Sequence, residues 1–271
     1  MKKQILRMLR WFSFLGFNPL AMVNNCRGSW PILREYHLLK RQAALSQENF
    51  PLGALYLCPG DRFAQAGNSG GHYFWQDLMV AQKIFRAKPV RHVDVGSRID
   101  GFVAHVAAFR EIEVFDIRQA NNNIPNVKIR QADMMRLPSD LVGCCDSLSC
   151  LHALEHFGLG RYGDPIDFEG HLKGLDSLKR ILASNGVLYL SVPIGLQRIE
   201  FNAHRVFSIT YLLKLFESSF ELLTFSYVDD TGRLHENVSM TSAVVNTNAG
   251  CFFGCGIFEL RKRISDRIDC R

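Results

Sequence analysis

The sequence predicts an α/β fold built on a mainly parallel sheet with helices on both faces. Three observations lead there. From Pro89 onward, short apolar, β-rich runs alternate with segments of helical period. The runs are separated by Gly, Asn and Pro signals at the spacing of strand–helix–strand units. The composition, 47% apolar and 21% charged over 271 residues, is that of a globular chain able to bury one sizeable core. In such sheets ligands bind beyond the carboxyl ends of the strands, so those ends are where chemistry is sought.

Residues 1–71 read as a helical extension followed by a loop, and residues 72–271 as the main domain. Met1 to Arg10 is basic and Trp11 to Val23 largely apolar, which imitates a signal peptide. Asn18 and Pro19 interrupt the run, however, and it is too short to span a bilayer. The expectation is an amphipathic helix packed on the domain; the alternative is a helix lying on the inner membrane face. Turn signals stand at Asn24-Asn25 and from Gly28 to Pro31. Residues 51–71, with Asn68-Ser69-Gly70-Gly71, read as a long loop.

A helix is expected from Tyr73 to Arg86, where Phe74, Leu78, Ala81 and Phe85 share one face. Val90 to Gly96 reads as the first strand and Gly101 to Arg110 as a helix. Glu111 to Asp116, Val127 to Gln131 and Asp146 to Leu151 follow as strands. His171 to Ala183 is a helix stopped at Asn185-Gly186. Val187 to Val192 is the fifth strand, and Ser208 caps a helix to Glu217. Glu221 to Tyr227 and Gly256 to Leu260 read as two final strands, with a shorter β-like run near Ser242 to Val245 between them.

The net charge of +6 tolerates an anionic partner without demanding one. A nucleic-acid partner is not expected, because no cluster of aromatic residues interleaved with Lys and Arg stands near the strand ends. The eight cysteines contain no CxxC pair. They read as free thiols of a reducing, cytoplasmic compartment. Cys251 and Cys255 lie four apart, and no companion pair completes a zinc site by spacing.

The strand ends carry the acidic residues. Asp94-Val95-Gly96 forms a strand-to-helix turn where a glycine admits close backbone approach. Asp116 ends the second strand, 20 residues after Gly96, and a carboxylate there can accept both hydroxyls of a ribose. Asp133, just past the third strand, can accept from an adenine amino group. Three such ends in order suit an adenosyl ligand without a phosphate cradle. A Rossmann dehydrogenase is disfavoured, since the turn after the first strand does not read Gly-x-Gly-x-x-Gly; the run of that form, Gly158 to Gly163, follows the fourth strand instead.

The run HVDVGSRIDGFVAHVAAFREIEVFDIR resembles motif I and the second strand of class I S-adenosylmethionine-dependent methyltransferases. ADMMRLP, SLSCLHALEHFGLG and LKRILASNGVLYLSVP resemble the third, fourth and fifth strand regions of the same family. More narrowly, EHFGLGRYGDP together with GHYFWQD resembles the methyltransferase-like DUF268 family. The resemblance implies a Rossmann-like, seven-stranded methyltransferase sheet. It also implies S-adenosylmethionine as cofactor, with Asp94, Gly96, Arg98, Asp116 and Asp133 around it. The surface-polysaccharide setting associated with that family implies a small-molecule or glycan hydroxyl acceptor. One departure stands out: the family's Gly-x-Gly-x-Gly reads Gly96-Ser97-Arg98-Ile99-Asp100-Gly101 here. Arg98, at the second glycine, either narrows the pocket or pairs with the cofactor's carboxylate. A non-catalytic binding or scaffold protein on the same fold is the alternative that this loop leaves open.

His152, Glu155 and His156 follow the fourth strand. On a helix, their spacing would put them on one face, a geometry able to hold a divalent metal. The alternative is a helix start that merely holds the loop. His156 or His152 is the expected base for an oxygen acceptor, and Arg161 would orient an anionic group on the substrate. The glycine-rich loop Gly158 to Pro165 is a candidate lid. His72, Tyr73 and Gln76 are placed to close the pocket, and His204-Arg205 to reach the acceptor.

Overall fold

The computed structural model describes residues 18–48, 50–64, 67, 69–119 and 123–264. They fall into two compact units, divided between residues 68 and 69. The basic segment Met1 to Arg10, most of the apolar run after it, and Cys270 lie outside the described residues.

In the first unit, helix α1 (Pro19–Leu45) runs through both of the turn signals expected within it. Its start is fixed by Asn18, whose side chain accepts from the Ala21 amide, with proline at a position where no amide is needed. Pro31 lies inside the helix, where it removes one backbone donor, and Ser29 Oγ donates to the Asn25 carbonyl at 2.7 Å one turn earlier. Gly28 marks a close crossing: a Cβ there would sit 2.0 Å from the Pro59 carbonyl oxygen. The glycine therefore reports a backbone approach, not a break. No described helix is long and apolar enough to cross a membrane.

The second unit begins with helix α2 (His72–Ala87). Strand β1 (His92–Val95) leads into a π turn at Ile99–Val103 and the short helix α3 (Ala104–Ala107). Strands β2 (Ile112–Asp116), β3 (Val127–Gln131) and β4 (Cys145–Leu151) follow, then helix α4 (Gly170–Ile181) and strand β5 (Leu182–Ile194). A hairpin of β6 (Arg198–Glu200) and β7 (His204–Val206) precedes helix α5 (Ile209–Phe216). Strands β8 (Phe220–Val228) and β9 (Leu234–His235), helix α6 (Ser242–Asn246) and strand β10 (Gly254–Lys262) complete it.

The main sheet has the order β3-β2-β1-β4-β5-β10-β8-β9. Strands β1 to β5 pair in parallel, while β10 is antiparallel to both β5 and β8. Running β10 backwards brings its first residues to the edge where β4 and β5 end; Cys255 sits opposite Pro193 and Val228. One face of the sheet packs with Val80 and Ile84 of α2 and Val106 of α3. The other carries Leu175 and Leu178 of α4 and Leu212 of α5. This is the expected α/β architecture, with eight described strands in the main sheet, one of them only two residues long.

Three local readings need correction. The β-like run at Ser242 to Val245 is helix α6, because Thr241 Oγ1 accepts from the Val244 amide and caps it. The helix expected from Gly101 is a π turn and a single α turn, broken at Gly101, whose φ and ψ are −122° and −108°. Asn185-Gly186 does not stop α4, which ends at Ile181. Those residues kink the start of β5, where Asn185 is left-handed (φ 63°). Ser208 caps α5 as expected, accepting from Tyr211 at 3.2 Å.

Candidate functional site

The parallel strands end at a cleft of about 510 Å³, counted with its open mouth. Its lining includes Gly96, Asp116 and Asp133, beyond β1, β2 and β3, and His156, Tyr162 and Asp164 beyond β4. The rest is largely apolar, with Val95, Phe115, Ile117 and Met134 among it. Small-molecule sites commonly combine apolar walls with a few polar groups in this way.

The turn after β1 explains why glycine stands there. Gly96 is left-handed at φ 73°, and a Cβ on it would lie 2.9 Å from the Ala153 Cβ across the cleft floor. Asp94 holds this turn instead of facing the cleft. Its buried carboxylate accepts from the Ser97 amide (3.0 Å), Ser97 Oγ (2.7 Å) and Ser149 Oγ (2.5 Å). Ser149 is its cross-strand partner, and His92 faces Ser147 two residues earlier, on the same face of the sheet. The polar ladder is continuous: Ser147 donates to His92 Nδ1, His92 Nε2–H to Ser149, and Ser149 to Asp94. Burial raises the Asp94 carboxyl to about 6 and lowers His92 to about 3.

Arg98 also lies away from the cleft lining. Its backbone is extended (φ −71°, ψ 132°), so the position does not demand glycine. Its guanidinium forks onto Asp100 at 3.0 and 2.7 Å and lies 5.7 Å from the centre of the Tyr73 ring. Arg98 is not part of the cleft lining and so does not narrow it. Gly101 is the tighter point of the loop, since a Cβ there would meet the buried Asp77 carboxylate at 2.6 Å.

Arg118 takes an unexpected position. It clamps Asp116 through Nε at 2.9 Å and Nη2 at 2.7 Å, while its own amide also donates to that carboxylate. The same guanidinium stacks on Tyr162 at 4.6 Å. Asp133 accepts from the Met135 amide at 2.8 Å, which fixes the turn after β3.

His152, Glu155 and His156 come together, but not as three ligands on one helix face. His152 is left-handed (φ 50°) and Leu154–His156 is a single 3₁₀ turn, so helical spacing does not apply. Glu155 is fully buried and accepts from His152 Nδ1 at 2.7 Å; His156 Nε2 stands 3.7 Å away. His156 donates through Nδ1 to the Ala203 carbonyl at 2.7 Å. Burial lowers the His156 imidazole, favouring the neutral form, which presents a lone pair at Nε2. Burial also opposes charge on His152, yet the nearby Cys255 and Glu155 outweigh it and raise that imidazole well above its usual value.

The Gly158 to Pro165 loop is folded around Asp164, whose carboxylate accepts from the amides of Gly158, Gly160 and Tyr162. Arg161 donates to the Ala203 carbonyl at the exposed rim. Arg205 is buried and binds the carbonyls of Phe157 and Phe168, so it braces this loop and does not reach into the cleft. His72 stacks on His152 and Tyr73 packs against it at a tilt, with ring centres 5.3 and 5.1 Å away. Gln76 is buried and accepts from Ser191 Oγ at 2.6 Å. Sequence reasoning missed Arg118, although an arginine two residues past a strand-end acid can reach back to it. It also missed the approach of His72 and Cys255 to His152, which only the antiparallel run of β10 creates.

Among solved structures, the chain is similar to the [4+2]-cyclase SpnF, at 15% identity and a TM-score of 0.50, covering 70% of this chain and 82% of that one. It also resembles the N-methyltransferase NodS of Bradyrhizobium japonicum WM9 in complex with S-adenosylhomocysteine (10% identity, TM-score 0.47, 71% and 88% covered). A third likeness is a putative methyltransferase of Bacillus halodurans C-125 (14%, 0.46, 68% and 99%). At these identities the likeness is one of fold. No curated protein matches the sequence. The family model described as "Caenorhabditis protein of unknown function, DUF268" matches residues 105–250, more than half of the chain. The protein belongs to the DUF268 family, and its Rossmann-like α/β fold is of the kind found in SpnF.

Proposed function

We propose that the protein is an S-adenosylmethionine-dependent methyltransferase acting on a hydroxyl group of a small molecule or glycan, including a sugar of a surface polysaccharide. One observation carries the reading: Gly96, Asp116 and Asp133, from three successive strand ends, line one cleft with His156. The residues suit the cofactor. Gly96 leaves backbone room, Asp116 offers a carboxylate to a ribose diol, and Asp133 stands beside apolar walls that suit a purine. When bound, the cofactor supplies an electrophilic methyl group on a sulfonium that is already a good leaving group.

The protein's own work is alignment and one proton. Apolar walls hold the reactants in line and exclude water. His156, kept neutral by burial and oriented by Ala203, accepts the hydroxyl proton at Nε2. Arg161, at the rim, steers an anionic acceptor. The free thiols of the described cysteines support action in a reducing, cytoplasmic setting. Contact with the inner membrane face through the N-terminal segment is part of the proposal.

Calorimetry of the purified protein with S-adenosylmethionine and S-adenosylhomocysteine tests the reading. Saturable one-site binding, lost in Asp116→Ala, is expected; absence of binding by either ligand overturns it. A second reading, a scaffold that has lost transfer, draws on the Arg118 clamp over the ribose acid. It predicts no cofactor uptake.

A further inference from the structure

We propose that His72, His152 and Cys255 form a site for a borderline-soft divalent cation of the zinc class, at the strand edge that also bears the cleft. Each offers one donor atom, and the three atoms lie within 4.8 Å of one another. They come from three separate elements: the start of α2, the left-handed residue after β4, and the second residue of β10. The convergence is a property of the fold and not of local sequence.

Three further features fit a metal. His152 Nε2 is buried and, among the described residues, has no nitrogen or oxygen partner; it faces the Cys255 sulfur, the other donor of the proposed site. The other nitrogen of that ring is held by Glu155 Oε1 at 2.7 Å, the carboxylate–histidine pairing that orients metal-bound imidazoles. Cys255 is fully buried, and a thiolate beside two imidazoles selects zinc-class ions over calcium or magnesium.

Tetrahedral coordination would draw the donors from at most 4.8 Å to roughly 3.5 Å from one another, a closure of up to about 1.3 Å. Binding forms two metal–nitrogen bonds and one metal–sulfur bond, and the protons carried by His152 Nε2 and the Cys255 thiol leave to solvent. Three protein ligands leave a fourth position for water or an acceptor oxygen. Glu155 is thereby the orienting group and His156 is not a ligand, which reassigns the His152, Glu155 and His156 set expected from spacing.

The test uses the full chain, stripped with a chelator and titrated with zinc, then cobalt(II). One ion per chain is expected, with a thiolate-to-cobalt charge-transfer band in the near ultraviolet. Cys255→Ser should abolish the band, while Cys251→Ser should keep it. Glu155→Gln should keep the band but weaken binding roughly 10- to 100-fold. Should Cys255→Ser fail to fold, His72→Asn, at a partly exposed helix start, should still lower zinc affinity at least tenfold with the circular dichroism spectrum intact. Substoichiometric binding by the wild type, a band that survives Cys255→Ser, or unchanged affinity in His72→Asn would each overturn the site.

Discussion

Arg118 closes on Asp116 with two nitrogens 2.9 and 2.7 Å from the carboxylate oxygens, at the place where the cleft needs an acceptor. A carboxylate has about four lone-pair sites, so it can hold an arginine and a diol together. The pair is half in solvent, with the arginine side chain 51% exposed, and so is weak in itself. Arg118→Ala should therefore bind S-adenosylhomocysteine as well as or a few-fold better than the wild type. Asp116→Ala should lose more than tenfold, since it leaves hydroxyls unpaired in the cleft. Calorimetry on both variants checks this; a tenfold loss in Arg118→Ala would mean that the arginine itself binds the ligand.

Gly96→Ala should be severe for two reasons. A left-handed alanine costs on the order of 1–2 kcal/mol, and its Cβ would sit 2.9 Å from the Ala153 Cβ. A lower melting temperature and loss of ligand binding are expected. Ala153→Gly in the same chain should recover binding but not all of the stability, because it relieves the contact and leaves the backbone conformation unchanged.

The alternation of strands and helices made the parallel half of the sheet legible, because period and turn chemistry are local. The order of acidic strand ends likewise placed Gly96, Asp116 and Asp133 near one another before any coordinates. Their side-chain directions were not legible. Asp94 looks like a ligand contact in sequence, yet Ser149, its cross-strand partner 55 residues away, turns it into a buried brace. The His152–Glu155–His156 spacing suggested a helix face, but the 3₁₀ turn gives a different geometry. Cys255 was invisible as a partner of His152 because long-range sheet order, not spacing, brings them together.

The Asp94 ladder should give stability a pH signature. Its carboxyl is raised in the folded state to about 6, so the folded protein holds that proton more tightly than the unfolded chain. This contribution strengthens as pH falls from about 6 towards about 4 and is lost as pH rises through about 6. Asp94→Asn cannot titrate. The stability difference between wild type and Asp94→Asn should shift towards the wild type on acidification, by about 3 kcal/mol at most. Shifts shared by both proteins, such as those of His72 and His171, largely cancel in the difference. Denaturant titrations at a series of pH values measure it, and a pH-independent difference would refute the assignment.

His156 offers the sharpest separation of catalysis from binding. Its Nε2 is the unprotonated nitrogen of a ring held by Ala203 and set edge-on to Tyr162, ring centres 5.4 Å apart. His156→Asn removes the base but can keep the hydrogen bond to the Ala203 carbonyl. Once an acceptor is in hand, transfer to a hydroxyl should fall roughly 10²- to 10⁴-fold, with cofactor affinity within a few-fold of wild type. Rate against pH should follow one ionisation in the wild type, with activity lost on the acid side as His156 takes up a proton. That acid limb should vanish in the variant. An intact rate in His156→Asn would mean that alignment alone suffices and that the acceptor loses its proton to solvent.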